Sequence, residues 1–525
     1  MKFRTRLAGV ALVATASLLL AACAPSGSTS DSESETPVAG GTLTYAVAAQ
    51  PGTGGLDPIV ASNAASNGYL SQIYETLLVK NDEGEIEPGL AESYEQIDDL
   101  NYTFTLRDGV EFSDGTPLTI EDVVYSFNTW LASTSTRKQF LAGIDTITAV
   151  DDKTVKFTFA SVNATFLNAV SSRTTFYILN EAWYSALTPD ERQRQALGTG
   201  AFALGTWTDN VSLSLVKNEN YWQEGLPYLD GIDFQIVPDE TARLALTQQG
   251  STDVASFTDA AVANQAEDSG YTVGDASYTR KISIYINPTT GPLADLNVRR
   301  ALSLSLDRDQ IVDLAAGGSG AVSLTVVVGD PASTKPDEDT PYYTRDIDAA
   351  KELLEEAGQP NPTIQLSYPS DYTPEDIPVF EVMKEQAAEA GINIELVATP
   401  WADISRIFTY GESWTDMVAI WNVVNVDPAG YFNQFLLDSG QMAYFDGNPD
   451  ADKARELHQE LQTTTDPDTR AELTVELDNE VADKVIKLIP LAKAQLIEVW
   501  DDTKIGGYST DPYSSRWKLK ELFLK

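Results

Sequence analysis

Apolar and polar residues alternate through Tyr102-Thr-Phe-Thr-Leu106, the period of a strand with one buried face, and Asp108-Gly109 supplies the turn after it. The period then changes. From Thr119 onward Val123, Val124 and Phe127 fall on one side of a helix, with Thr119 placed to cap its first turn and Asp122 to reach back. The second half of the chain alternates in the same way. Residues 347–357 read as a helix ending at Gly358 before Pro360, and 363–368 as a strand. Residues 377–390 read as a helix with Phe380, Met383 and Ala387 inward and Gly391 at its stop. Residues 392–397 form a second strand and 416–421 a short buried one. Strand, helix, strand with a right-handed crossover predicts an α/β fold. In open α/β sheets ligands sit beyond the carboxyl ends of strands, so the residues after 421 are pocket candidates.

The N-terminus carries a different pattern. Lys2, Arg4 and Arg6 precede an uncharged run over 7–20. As a helix that run would reach only ~21 Å, short of a hydrocarbon core of ~30 Å, so it reads as a signal peptide over residues 1–22 and not as a stable span. Leu20-Ala21-Ala22-Cys23 resembles the lipobox of bacterial lipoproteins, which implies an acylated Cys23; the competing reading is a stray cysteine in an ordinary secretory signal. Cys23 is the one cysteine of the chain, which excludes an internal disulfide. Residues 24–39 are Ser-, Thr-, Asp- and Pro-rich with little to bury, and predict a disordered tether of at most ~55 Å.

From residue 40 on the composition is globular, and no later segment has the length of a spanning helix. Net charge is 35 − 78 = −43, or 32 − 78 = −46 once Lys2, Arg4 and Arg6 leave with the signal. Such a surface repels nucleic acid and anionic headgroups, leaving the lipid anchor as the one membrane contact expected. It also favours a soluble monomer.

Most catalytic chemistry can be set aside. His458 is the one histidine and lies in a polar stretch, 451–462, where it is expected to face solvent. That removes Ser-His-Asp and Cys-His catalysis and any His/Cys metal cluster, so no catalytic residue, metal or cofactor is predicted. Gly317-Gly-Ser-Gly320 lacks the Gly-Lys-Ser/Thr of a phosphate loop. A carboxylate pair for glycoside hydrolysis is a spatial property, and nothing in the sequence selects one.

The stretch from Leu90 through Tyr102-Thr-Phe-Thr-Leu106 and Gly109 to Thr119-Ile-Glu-Asp122 and Phe127 resembles the signature of the family 5 extracellular solute-binding proteins, the peptide and nickel binders. The resemblance continues through Gly198-Thr-Gly200, Asn220-Tyr-Trp222, Leu229-Asp-Gly-Ile232, Thr252-Asp-Val254, Asn297-Val-Arg-Arg-Ala-Leu-Ser-Leu-Ser-Leu-Asp307 and Ile489-Pro-Leu491. It implies a two-lobed, periplasmic-binding-protein-like fold of type II, the large peptide-binder class with an extra N-terminal subdomain. Lobe I would span 40–282 plus 492–525, with the subdomain at about 67–199, and lobe II 283–491. The implied partners are a solute and the permease subunits of an ATP-binding-cassette (ABC) importer.

Carried over onto this chain, the cleft wall after Leu56-Asp57-Pro58 falls on Ser62, Asn63 and Ala64. Contacts after Asp253-Val-Ala255 fall on Ser256, Phe257 and Thr258. A tryptophan matched by Trp401 stacks on solute or packs in the core. The remaining contacts lie in Ile420-Trp-Asn-Val-Val-Asn-Val-Asp-Pro428, at Trp421, Asn422, Val424, Asn425 and Asp427. Here the chain departs from its peptide-binding relatives, which place an aspartate for the peptide's α-ammonium where this sequence has Val424 or Asn425. A buried ammonium without a carboxylate is costly. Asp427, before a proline, either meets ligand or caps the next helix. The site therefore leans away from free peptides, although the resemblance implies capture of a peptide-like solute as the default, with an oligosaccharide or other neutral polar solute as the alternative. A surface glycoside hydrolase and a ligand-free adhesin are the remote readings.

Overall fold

The computed structural model describes residues 36–61, 64–81, 84–172, 174–274, 277–315, 339–370, 377–410, 414, 416–423, 427–436, 448–488, 493–509 and 517–525. One long sheet runs through both halves of the molecule. Its order is Asn393–Thr399, Thr363–Pro369, Met417–Val423, Ser277–Ile286, Lys493–Trp500, Val254–Phe257, Thr42–Val47, Gly231–Ile236, Ser212–Lys217 and Phe202–Thr208. At the middle, Ser277 to Lys281 pair antiparallel with Leu496 to Lys493. The first of these strands continues to pair with Met417–Val423, from Arg280↔Val423 to Ile286↔Met417.

Period-two alternation explains why the strands are held on both faces. Ile282, Ile284, Ile286, Met417 and Ala419 enter one core, while Tyr285, Val418 and Ile420 enter another on the opposite face. In the other half Leu43, Tyr45, Val47 and Val254 enter a large core, and Ala46, Ala255, Phe257, Ile497 and Val499 enter a fourth. Each half thus has its own buried apolar layers, the driving term for a lobe that folds around its own part of the sheet. The fold is two-lobed α/β, as expected.

Local expectations hold closely. Thr119 Oγ1 accepts from the Asp122 N–H at 3.3 Å and Asp122 Oδ2 accepts from the Thr119 N–H at 2.9 Å, closing the capping box of helix Ile120–Ala132. Val123, Phe127 and Trp130 are buried, while Val124 is only half-buried. This helix lies on a second, four-stranded sheet, Ala91–Asp98, Asn101–Leu106, Thr154–Phe159 and Ile144–Ala149. Phe127 meets Phe157 edge-on at 4.8 Å. In the other lobe Thr363–Pro369 and Asn393–Thr399 are parallel, joined by helix Ile377–Glu389, which stops at Gly391 with φ +95°.

His458 contradicts its expectation. It is 1% exposed, with Nε2 3.1 Å from the Ala429 carbonyl. Its helix, Asp452–Thr463, is covered by Pro467–Asp483 and Pro428–Leu436 together, and burial pushes the imidazole pKa down to about 4. Residues 1–35, including Cys23, and 317–320 lie outside the described residues. Among the described residues no helix is long and apolar enough to cross a membrane.

Candidate functional site

The turn before the first wall segment is firmly built. Asp57 is buried, and its Oδ1 accepts from the Ile59 N–H at 3.0 Å and the Tyr184 hydroxyl at 2.7 Å. Burial raises the Asp57 pKa, and these two bonds offset part of that rise. The turn closes with the Ala61 N–H on the Asp57 carbonyl at 2.9 Å. Ser62 and Asn63 lie outside the described residues, and Ala64 opens helix Ala64–Ile73.

The second segment ends the Val254–Phe257 strand. The Ser256 carbonyl accepts from Arg243 Nε at 2.9 Å, and the Phe257 ring is buried beneath the Arg243 guanidinium at 5.6 Å. Thr258 is exposed, and its N–H and hydroxyl both donate to Glu240 Oε1, at 2.7 and 2.8 Å. Trp401, 43% exposed, begins helix Trp401–Tyr410 and is not a core residue. Trp421 and Asn422 sit in the Met417–Val423 strand, opposite Ile282 and Lys281. Their side chains, with Val424 and Asn425, lie outside what is described.

Asp427 is fully buried and caps helix Pro428–Leu436, its Oδ1 2.8 Å from the Ala429 N–H. Arg470 Nη2 bridges both carboxylate oxygens at 2.9 and 2.7 Å. A third donor comes from the other lobe: Asn168 Nδ2, 2.8 Å from Oδ2. Two further contacts join the same surfaces. The Ala164 N–H donates to the Gln462 carbonyl at 3.2 Å, and a Cβ on Gly430 would overlap the ring of Phe140. Phe140 belongs to the large core of one lobe, and Gly430 to a helix over the core of the other. The lobes therefore touch through a packed, hydrogen-bonded seam. None of Phe140, Asn168, Gly430 or Arg470 carries a local sequence signal; only proximity in the fold selects them.

A small cavity, open to solvent, lies elsewhere and is lined by none of the predicted site residues. Glu75 stands in its wall and accepts from Thr199 Oγ1 at 2.9 Å, the Tyr221 hydroxyl at 3.2 Å and Trp222 Nε1 at 3.0 Å. A Cβ on Gly198 or Gly200 would run into the Ile73 or Gln72 carbonyl. The motifs Gly198-Thr-Gly200 and Asn220-Tyr-Trp222 thus lock onto the end of helix Ala64–Ile73, and the polar atoms of this cavity are largely spent on one another. Among the described residues no three His, Cys, Asp or Glu converge as metal ligands.

Glu498 is a further buried acid. It accepts from the Tyr45 and Tyr508 hydroxyls, and burial pushes its pKa up to about 7 from an ordinary 4.5. A raised carboxyl pKa gives stability that is complete below pH 4.5 and is lost as pH rises through about 7. Glu498→Gln should therefore melt higher than the unmodified protein at pH 8, by up to ~3 kcal/mol, and nearly alike at pH 5. Comparing melting curves of the two at both pH values checks this, because the opposing loss from His458 at low pH is common to both.

The profile described as bacterial extracellular solute-binding proteins, family 5 Middle, matches residues 85–443. Heme-binding protein A of Haemophilus influenzae is 29% identical over 479 residues, 83% of this chain and 85% of its own length. Glutathione-binding protein GsiB of Escherichia coli is 29% identical over 349 residues, 65% of this chain and 67% of its own. Among solved structures, the ABC transporter substrate-binding protein CtaP of Listeria monocytogenes matches with a TM-score of 0.80 at 23% identity, over 93% of this chain and 99% of its own. The oligopeptide-binding protein AppA of Bacillus subtilis, solved with a nonapeptide, matches at 0.73 and 20% identity, over 93% and 100%. At these identities the two structures bear on the fold.

Proposed function

Since the chain belongs to the bacterial extracellular solute-binding proteins of family 5 and is thus a non-enzymatic binding subunit of an ABC importer, we propose that it captures a peptide-like solute between its lobes. The observation that supports this reading is the seam of Asn168, Phe140 and Gly430 with Asp427, a contact between the two halves of the kind that closure around a solute would make. Lobe I is assigned residues 40–282 and 492–525, with a subdomain at about 67–199, and lobe II residues 283–491. The solute meets the wall at Ser62, Asn63 and Ala64, the strand end at Ser256 to Thr258, Trp401, and the segment from Trp421 to Asn425. Asp427 serves the seam and leaves ligand contact to its neighbours.

Heme, glutathione and peptides are what the similar proteins bind by name, and they define the first ligands to try. A neutral oligosaccharide is the second reading, supported by the exposed ring of Trp401, which can stack on a sugar face. An acylated Cys23 and the tether behind it hold the body at the outer face of the membrane, beside its permease. Cys23→Ser should move the protein from the membrane fraction into the medium or periplasm, while retention in the membrane fraction would remove the anchor.

The test of function is a thermal-shift screen of residues 40–525 against short peptides, glutathione, heme and oligosaccharides. A ligand at 100 times its Kd should stabilise the protein by ~2.7 kcal/mol. A shift with sugars alone would replace the peptide reading by the second one. No shift with any class would count against solute capture.

A further inference from the structure

Each face of the seam is held in shape by one side chain that does not cross it. In the first half that side chain is Asn163, which is buried. Its Nδ2 donates to the carbonyls of Phe140, at 3.0 Å, and Ala142, at 2.9 Å, and its Oδ1 accepts from the Thr165 N–H at 3.1 Å and hydroxyl at 2.7 Å. Thr165 precedes helix Phe166–Val170, which carries Asn168 and whose Phe166 ring packs among Tyr102, Phe104, Phe157 and Phe159 with centroids 4.9–6.0 Å apart. One amide thus fixes the Phe140 segment, the Ala164 N–H beside it and the helix of Asn168 against the four-stranded sheet. None of these three groups belongs to the long sheet.

In the other half Arg470 has the same role. Its Nη2 holds Asp427, while its Nη1 donates to the carbonyls of Leu461 and Thr464, on either side of Gln462. Gln462 Nε2 in turn donates to Asn433 Oδ1 at 2.8 Å, one turn beyond Gly430. All of these bonds lie within one half and survive separation of the faces. Among the described residues, the hydrogen bonds that cross here are Asn168 to Asp427 and Ala164 to Gln462, beside the contact of Phe140 with Gly430. When the faces part, Asp427 keeps Arg470, so no charge is left without a partner. Faces already in shape lose little freedom on docking, and so few crossing bonds let them release again.

We propose that Asn168 is a positioning residue of capture: it touches no solute, and its bond to Asp427 sets how often the two faces are together. The inference rests on the solute-capture reading above and adds that the closing jaw is the unit of the four-stranded sheet. Because this latch is separate from the solute's own contacts, it scales the affinity for every solute by one factor, the fraction of molecules in the touching arrangement. The solute contacts decide which molecule is held, and Asn168 how tightly any of them is kept. The Asn168 side chain is half-buried and makes no other hydrogen bond among the described residues, so alanine in its place leaves the helix intact.

The Ala164 N–H reads the seam directly because it bonds across to Gln462, whereas the Thr165 N–H next to it bonds to Asn163 within its own half. Hydrogen exchange at both amides would be followed in residues 40–525, unmodified and as Asn168→Ala and Asn168→Asp, alone and saturated with the peptides, glutathione, heme or oligosaccharides that bind. Ala164 should exchange about 10- to 100-fold faster in Asn168→Ala, and faster again in Asn168→Asp, where two carboxylates would meet, with Thr165 unchanged in both. The Kd of every binding solute should rise in Asn168→Ala by one common factor of that size. Equal Ala164 exchange in all three proteins, alone and saturated, would overturn the proposal. So would Ala164 and Thr165 quickening together, since Asn168 would then hold the fold of its own half, and so would a loss confined to one solute, which would make Asn168 a solute contact. If Asn168→Asp does not fold, Asn168→Ala decides. Faster Ala164 exchange in the variants with no solute bound by any of them would leave the latch standing and remove solute capture; binding with an unaltered seam would do the reverse.

Discussion

Asp427→Ala should cost about 3–5 kcal/mol of stability, because it leaves the Arg470 guanidinium buried without a counter-charge. Among the described residues Arg470 would keep only carbonyl partners, Leu461 at 2.7 Å and Thr464 at 3.0 Å, and helix Pro428–Leu436 would lose its cap. Calorimetric melting should show the transition of this lobe displaced downward, with the other lobe's little changed. Adding Arg470→Met should recover much of the loss, since a buried ion pair exchanged whole for apolar groups is often tolerated. A double variant as unstable as the sum of the two singles would mean that the pair is not the source of the effect.

Gly430→Ala should act on binding in a way that stability does not reveal. Gly430 lies inside helix Pro428–Leu436, where alanine is favoured by about 1 kcal/mol, so with the lobes apart the substitution should cost no stability. In the touching arrangement the added methyl meets the Phe140 ring, an overpacking cost of about 1–3 kcal/mol, or roughly 5- to 150-fold in Kd. Titration of any ligand from the thermal-shift screen measures this. Phe140→Leu in the same background should restore part of the affinity by making room. Unchanged affinity in Gly430→Ala would mean that the seam takes no part in capture.

How much was legible in the sequence follows the range of each interaction. The capping box of Thr119 and Asp122, the alternation of Tyr102 to Leu106 and the strand–helix–strand unit around Gly391 are set by neighbours a few residues apart. Periodicity suffices to find them. His458 was misplaced because a polar helix reads as solvent-facing until the helices before and after it are known to cover it. Asp427 could be narrowed only to cap or ligand contact; its partners lie 43 and 259 residues away in sequence. Trp401 lay between stacking and core packing, and its 43% exposure removes the second.

The central claim is that solute capture and closure of the two lobes are one event, and small-angle X-ray scattering tests it most directly. Residues 40–525 would be measured alone and saturated with the best ligand of the screen, beside the Gly430→Ala variant. The expected result is a smaller radius of gyration on saturation in the unmodified protein, reached in the variant only at higher ligand concentration. Saturable binding with an unchanged radius in both proteins would contradict it.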